Sequence, residues 1–556
     1  MRRIFGLYNT RVPPWRGVTM SSGWLYHLHN HTPSTPDQKT FKILFSTMSK
    51  ALTTSVSLPS GKKLDIPTGL FINNEFVASV TGDTLVTVNP STEEKICEVQ
   101  AGKYHPDLDI DLAVQAARKA FNTTWGKHVS GTQRGALLYK LADLIERDAQ
   151  SLAELEALDN GKPVAVARDG DIAESVGCLR YYAGWADKNH GQTIEVNDDI
   201  KMAYTRHEPI GVCGQIIPWN YPIMMWAWKT APALACGCTI VMKPSELTPL
   251  TALKLCELVV EAGFPAGVLN CVPSLGAVGG AALSEHLDVD KIAFTGSTVT
   301  GRKIMAAAAS SNLKKVTLEL GGKSPNIVFP SADLQQAANW ASLGIFYNQG
   351  QDCTAGSRVY VHSSIYEEFL GLLAKNAAEF EKVTGDGFKE GVSGGPIVSQ
   401  TQRDKVWSYI EKGKSEGARV VTGGQKWEGQ GYFVRPTIFA DTTQSMKIVQ
   451  EEIFGPVLSV SKFETEEEVI ALANDTTYGL GAGLHSNDAN QIHRVVNALN
   501  AGTVWVNQYN ILHNNVPFGG YKQSGIGREL GSYALKEYTN VKAVHWNFGE
   551  KMGWPF

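Results

Sequence analysis

The segment Asn348-Gln349-Gly350-Gln351-Asp352-Cys353-Thr354-Ala355-Gly356-Ser357 sets a cysteine among polar and small residues. A thiolate is a strong nucleophile, and local N–H groups or a helix end favour it over the thiol. The plain alternative is a packing cysteine like the other seven, Cys97, Cys178, Cys213, Cys236, Cys238, Cys256 and Cys271, most of which lie in apolar runs. No histidine stands out as a partner for Cys353, which counts against a cysteine protease. The candidate base is Glu319. Val316, Leu318 and Leu320 alternate onto one strand face and Glu319 onto the other, just before Gly321-Gly322. In a partly apolar site its pKa rises toward that of a general base, whereas a strand Glu facing solvent gains no such role. Pro218-Trp219-Asn220-Tyr221-Pro222 offers the Asn220 side-chain N–H to an oxyanion, with an ordinary turn Asn as the alternative.

These residues need a frame. The β-rich runs Val212–Ile217, Thr239–Met242, Val268–Val272 and Lys291–Phe294 alternate with helical stretches such as Thr251–Ala262. That rhythm predicts an α/β fold, a mostly parallel sheet with helices on both faces, of the kind that binds nucleotides. Residues Asp333–Phe346 read as a helix leading to Cys353, and Arg358–Val361 as the strand after it. Gly131–Leu158 reads as helical, stopped by Asn160-Gly161-Lys162-Pro163. Lys201–His207 and Val541–Phe548 stand outside the rhythm as extended arms.

Two strand ends suit a nucleotide. Lys291–Phe294 runs into Thr295-Gly296-Ser297, a turn before a helical stretch whose backbone N–H groups suit a phosphate, although an ordinary loop is an equal reading. There is no Gly-x-Gly-x-x-Gly, and Arg302 after Gly301 excludes a P-loop. Thr239–Met242 runs into Lys243-Pro244-Ser245-Glu246, where a carboxylate would take ribose hydroxyls and repel a 2′-phosphate. A surface ion pair is the equal alternative.

The chain has 556 residues, with 51 Lys+Arg against 55 Asp+Glu and a net charge of −4. A hydrophobic fraction of 43% with 19% charged residues predicts a folded core in two or three domains and excludes disorder for most of the chain. The mild acidity argues against a nucleic-acid partner. The richest apolar stretch, Tyr221–Met242, is interrupted by Pro222, Lys229 and Pro232, so it reads as a buried helix and strand and not as a membrane span. The absence of Cys-x-x-Cys pairs favours a reducing compartment. Residues 1–47 hold six basic residues and one acid, as a mitochondrial transit peptide would, unless Met48 is the natural start. A cytoplasmic location is expected, with the mitochondrial matrix as the alternative. His27, His29 and His31 alternate in that segment, but a polar tail is the better reading there, and no metal is expected.

Pro-Trp-Asn-Tyr-Pro, Lys-Pro-Ser-Glu, Phe-Thr-Gly-Ser, Leu-Glu-Leu-Gly-Gly-Lys-Ser-Pro, Asn-Gln-Gly-Gln-x-Cys and Glu-Glu-Ile-Phe-Gly-Pro-Val occur in that order. With them the chain resembles the aldehyde dehydrogenase superfamily, in particular the NAD-dependent type acting on simple aldehydes, from about Pro67 to Phe548. Pro517–Lys522 and Ser524–Glu529 extend the resemblance.

The resemblance implies a Rossmann-type NAD-binding domain (65–187 and 209–320), an α/β catalytic domain (321–532) and a β-arm (188–208 and 533–548) for assembly as a homotetramer or homodimer. Residues 1–47 stay outside as an extension. It implies oxidation of an aldehyde, aliphatic such as acetaldehyde, to the carboxylic acid. The route is a thiohemiacetal and a thioester on Cys353, with Asn220 holding the oxyanion and Glu319 activating the deacylating water. NAD is the implied cofactor, with NADP less favoured. Lys243 and Glu246 match its adenosine ribose contacts, Gly296 and Ser297 the pyrophosphate turn, and Ile217 and Trp219 the cleft. Glu452 and Phe454 match the nicotinamide ribose side, and Gln402 and Lys405 a weaker ribose contact. Met225, Trp228, Tyr347 and Phe518 match the substrate tunnel.

The chain departs from the usual pattern at Asp352, whose charge beside the nucleophile would raise the thiol pKa, and at the tunnel-mouth residues Asn510 and Leu512. The tail after Trp546 is unusually aromatic. Two rivals remain. A CoA-acylating semialdehyde dehydrogenase is disfavoured by the presence of Glu319, and a non-catalytic structural homologue by intact Cys353, Glu319 and Asn220.

Overall fold

The computed structural model describes residues 52–103, 108–196 and 199–554. Residues 1–47, with His27, His29 and His31, lie outside the described residues.

Two large sheets carry the chain. Five parallel strands make the centre of the first, in the order Lys315–Glu319, Lys291–Thr295, Val212–Ile216, Thr239–Lys243, Leu269–Cys271. Leu70–Ile72 and Glu75–Val77 extend one edge antiparallel, and Gly525–Ile526 pairs antiparallel with Lys315–Glu319 at the other. All residues of the three strands Val212–Ile216, Thr239–Lys243 and Lys291–Thr295 are buried, as expected of strands covered on both faces. The strand order reverses between Val212–Ile216 and Lys291–Thr295. A doubly wound sheet opens a crevice at the carboxyl ends of such strands.

The second sheet is parallel except at one edge, in the order Arg419–Thr422, Thr437–Ala440, Val457–Phe463, Arg358–His362, Pro325–Val328, Gly481–His485, Thr503–Val506. The link between the sheets is short. Glu319 ends a strand of the first and Pro325 starts one of the second, with Gly321-Gly322 between them. The two extended arms pair with each other, Lys201–Pro209 against Thr539–Asn547, and Thr193–Ile194 adds a short third strand.

The helix Pro222–Cys236 starts with proline at its first turn, ends at Gly237 (φ +92°), and is buried along its whole length. Among the described residues no helix is long and apolar enough to cross a membrane. The helical stretch 131–158 is two helices, Gly131–Arg147 and Ala149–Asn160. They break at Asp148 (φ −96°, ψ 13°), whose carboxylate is held by the Arg147 guanidinium at 2.7 Å and caps no backbone N–H of the second helix. Gly161 then ends the second helix at φ +94°.

Candidate active site

Cys353 follows a left-handed turn. Asn348, Gln349 and Gly350 have φ of +49°, +57° and +66°. For Gln349 this costs about 1–2 kcal/mol, and for Asn348, whose short polar side chain tolerates the region, less, so the surroundings must hold the turn in place. Asn348 Nδ2 donates to the carbonyls of Gln351 and Asn220, at 3.1 and 3.0 Å. Gln351 Nε2 donates back to the Asn348 carbonyl, and Gln351 Oε1 accepts from the Val398 N–H at 2.9 Å. At Gly350 a Cβ would lie 2.2 Å from the Gly455 carbonyl oxygen, so glycine is required sterically as well. The turn leaves Cys353 half-buried, whereas the other seven cysteines are buried, and all eight are free thiols.

Asn220 is brought to Cys353 by the same network. Its Nδ2 donates one N–H to the Gln351 carbonyl at 3.1 Å, which leaves the second. Its own carbonyl accepts from Asn348 and from Lys162 Nζ, and Asn160 Nδ2 donates to the Trp219 carbonyl at 2.7 Å. Lys162 is buried in an ion pair with Asp171 and lies 4.3 Å from the Tyr221 ring centroid. The Asn-Gly-Lys-Pro segment therefore does more than stop a helix.

Glu319 is 4% exposed, and its Oε2 has no partner. Burial, then the charge of Glu529, push its carboxyl well above the usual range, while Lys229 and Arg528 oppose the shift. Lys229, midway along the buried helix, donates to Glu529 and to Thr295 Oγ1 at 2.6 Å. Burial likewise pushes the Cys353 thiol up, followed by the charges of Asp352, Glu452 and Glu319. Asp352 accepts four hydrogen bonds, from Tyr221, Asn510 and the backbone and hydroxyl of Thr354, at 2.7–3.0 Å.

The Gly-Gly pair lets two other groups approach. A Cβ on Gly322 would lie 2.1 Å from the Cys353 carbonyl oxygen, and one on Gly321 would lie 2.5 Å from Glu452 Oε2. Glu452 Oε1 accepts from the Gly322 N–H at 2.9 Å. On the first sheet, Glu319 pairs in register with Thr295, and the Gly296 N–H donates to the Glu319 carbonyl at 3.0 Å. Ser297 is exposed and caps the helix Thr298–Ser310.

Cys353, Glu319 and Asn220 line one cavity of about 490 Å³. Trp219, Gly296, Ser297, Gln402, Lys405, Glu452 and Phe454 line it too, as do Met225, Trp228, Tyr347 and Phe518. Trp219 and Phe454 meet edge to face at 5.2 Å, and Trp228 and Phe518 at 5.3 Å. Gln402 Nε2 donates to the Phe454 carbonyl at 2.9 Å and supports the left-handed Phe454 (φ +62°).

Three expected residues lie outside the cavity wall. Ile217 is buried, with its N–H on the Lys243 carbonyl, and Lys243 and Glu246 form an ion pair of 3.2 Å at the next strand end. Burial opposes charge on Glu246, yet Lys243 and backbone N–H groups hold its carboxyl below the usual value. Sequence reasoning missed Asp171, Glu174 and Glu529 in the wall, and Lys162 and Lys229 behind it. Lone charges inside apolar runs, as at Lys229, were the available signal.

The arrangement places a thiol, an amide donor and a pKa-raised carboxyl around one space, next to a helix-capped turn at the switch point of a doubly wound sheet. It can carry out covalent catalysis on a carbonyl with hydrolysis of the acyl product.

The model of the aldehyde dehydrogenase family matches residues 76–544. The chain is 55% identical over 498 residues to an aldehyde dehydrogenase of Aspergillus niger, covering 90% of this chain and 99% of that protein. A solved NAD+ complex of aldehyde dehydrogenase from Bacillus cereus superposes with a TM-score of 0.84 at 52% identity, covering 87% of this chain and 97% of that one. Betaine aldehyde dehydrogenase from Staphylococcus aureus gives 0.85 at 40% identity, covering 88% and 96%. The chain belongs to the aldehyde dehydrogenase family.

Proposed function

We propose that this protein oxidises a short aliphatic aldehyde, acetaldehyde or a longer homologue, to the carboxylic acid with NAD as electron acceptor. The observation that carries the reading is the single cavity shared by Cys353, Glu319, Asn220 and the Gly296-Ser297 turn.

The residues fit NAD. The switch-point turn exposes the Ser297 hydroxyl at a helix start, and Glu246 stays ionised beside Lys243 as an acceptor for ribose hydroxyls. Lys243, Glu246 and Ile217 would hold the adenosine half, and Gly296 and Ser297 the pyrophosphate. Trp219, Glu452 and Phe454 would hold the nicotinamide ribose side, together with Lys405 and the Gln402 oxygen that its bond to Phe454 leaves free. A 2′-phosphate would meet the Glu246 charge, which favours NAD over NADP. Residues 65–187 and 209–320 would form the nucleotide domain, 321–532 the catalytic domain, and 188–208 with 533–548 the assembly arm.

The thiol of Cys353 gives up its proton to solvent water, and its sulfur bonds to the carbonyl carbon, placing the carbonyl π electron pair on oxygen. Asn220 and the Cys353 backbone N–H stabilise that oxyanion. When bound, NAD supplies the two-electron acceptor for the hydride leaving the thiohemiacetal carbon, so that aldehyde, water and NAD+ become acid, NADH and a proton. Glu319 then takes a proton from water as the water oxygen bonds to the thioester carbon, and the Cys353 thiolate leaves. Because Glu319 serves water, added CoA should not be required.

Cys353→Ala is expected to abolish NADH production from acetaldehyde while NAD binding, read by fluorescence quenching, persists. Turnover retained in that variant would sink the mechanism.

A further inference from the structure

Two of the residues that depart from the family's usual pattern, Asp352 and Asn510, meet in the structure. Asn510 Nδ2 donates to Asp352 Oδ2 at 2.7 Å. Asn510 Oδ1 lies 2.6 Å from the Thr354 hydroxyl, which also reaches Asp352 Oδ1 at 2.8 Å. Asp352 and Thr354 are the residues on either side of Cys353. The residue before Asn510 completes the grip, because the Tyr509 hydroxyl donates to the Thr354 carbonyl at 2.8 Å. Two consecutive residues of one loop therefore clasp both flanks of the thiol.

That loop is held independently of the clasp. It leaves the strand Thr503–Val506 at Asn507, whose side chain makes two hydrogen bonds of 3.0 Å with the Ser486 backbone. Trp505 Nε1 donates to the Ile511 carbonyl at 2.8 Å and closes the loop across its base. Tyr509 is buried, and its ring fills a sleeve of glycines. A Cβ on Gly344, Gly356 or Gly483 would come within 2.5, 3.0 or 2.5 Å of it. Gly344 lies on the helix leading to Cys353, Gly356 follows the thiol, and Gly483 belongs to the strand Gly481–His485, so the ring is anchored to all three. Asn510 has φ +61°, a conformation that its short polar side chain tolerates. Its amide also carries a donor and an acceptor on one plane, which the facing Asp352 and Thr354 groups need.

On its other side Asp352 accepts from the Tyr221 hydroxyl at 3.0 Å. Tyr221 follows Asn220, so Asp352 stands between the loop and the segment that carries the amide donor of the site. No side chain among the described residues bonds the Cys353 sulfur, and the backbone on either side sets where it lies. The same loop reaches the open space, since Asn510, Ile511 and Leu512 line the cavity with Cys353.

We propose that Asn510 is a positioning residue for Cys353, acting through Asp352 and Thr354, with Tyr509 as its anchor. The inference rests on the aldehyde-oxidising reading above for its consequence, a sulfur kept in line with the carbonyl that Asn220 receives. At such a centre a misplacement of about 1 Å costs about 10²-fold in rate.

The test pairs two measurements. One is the pre-steady-state burst of NADH from acetaldehyde. The other is the pH profile of Cys353 alkylation by iodoacetamide, read by intact mass and independent of any aldehyde. After burial, the charges that bear on the thiol are those of Asp352, Glu452 and Glu319, all negative. In Asn510→Asp two carboxylates would face each other where a donor now meets an acceptor. The burst should slow about tenfold or more, and the alkylation limb should move to higher pH. Adding Asp352→Asn returns one amide and one carboxylate to the contact with their places exchanged, so both readings should recover most of the loss. Tyr509→Phe keeps the ring in its sleeve and removes only the bond to Thr354, so it should slow the burst with KM for NAD unchanged. NAD binding by fluorescence quenching checks that each variant is folded. Full burst rates in Asn510→Asp and Tyr509→Phe, or a double variant no better than Asn510→Asp in either reading, would overturn this inference and leave the oxidising function standing. Alkylation that follows the expected order in an enzyme that makes no NADH from acetaldehyde would keep the clasp and overturn the short-aldehyde reading.

Discussion

Glu319 holds its place against unfavourable electrostatics. It is buried, one oxygen has no partner, and Glu529 adds a like charge. Those same features suit a base that must work near neutral pH. Glu319→Gln should permit acylation and block deacylation, giving a burst of one NADH per site followed by turnover slowed about 10²–10⁴-fold. A steady rate without a burst would contradict it. The pH dependence follows from the neighbours. In the proposed mechanism deacylation needs the carboxylate, so its rate should rise as pH passes the raised Glu319 pKa. Glu529→Gln removes a charge that raises this pKa and leaves Lys229, which lowers it, so the limb should move to lower pH. A kcat–pH profile displaced toward higher pH would refute the assignment. That Cys353, Glu319 and Asn220 line one cavity matches the sequence-based expectation, because each is a reactive type in a context that packing alone would not choose. Glu529 was not legible, because its partner Lys229 is 300 residues away in the chain and becomes informative only when the fold brings them together.

The elements that present these residues depend on a few backbone positions without side-chain atoms. Gly322 lies against the Cys353 carbonyl, so the strand end that carries Glu319 and the turn that carries Cys353 touch through a space no Cβ can enter. Gly322→Ala should displace Cys353 enough to lower kcat/KM about 10²-fold with a modest loss in Tm, and unchanged kinetics would show that the contact is dispensable. The parallel strands and the long buried helix were readable from apolar runs and turn residues. The split at Asp148 was not, because hydrophobic periodicity continues across it. The left-handed turn at 348–350 was not legible either, since Asn348 and Gly350 tolerate a positive φ but Gln349 between them does not announce one. Lys243 ends its strand and Glu246 follows three residues on, as expected, yet both lie outside the wall that holds Cys353, because adjacent strands open side by side at different parts of one crevice.

At the scale of the whole molecule, the paired arm leaves apolar surface uncovered. Val541 is 65% exposed, Trp546 55% and Phe548 55%. On the proposed reading of the arm as an assembly surface, this is the apolar area a second copy would cover. Val541→Asp with Trp546→Asp should lower the mass measured by light scattering without unfolding the chain, since both side chains are already exposed in a single copy, and an unchanged mass would remove the arm from the interface. The order of motifs along the chain made the family and its fold class legible, while the charge of the cavity emerged only when residues from 171 to 529 met in space. The distribution of thiols has a practical consequence. With seven cysteines buried and only Cys353 partly accessible, a small alkylating reagent added to the native protein should attach once per chain. Intact-mass spectrometry of that single adduct would then count competent centres in any preparation, so the protein supplies its own active-site titration.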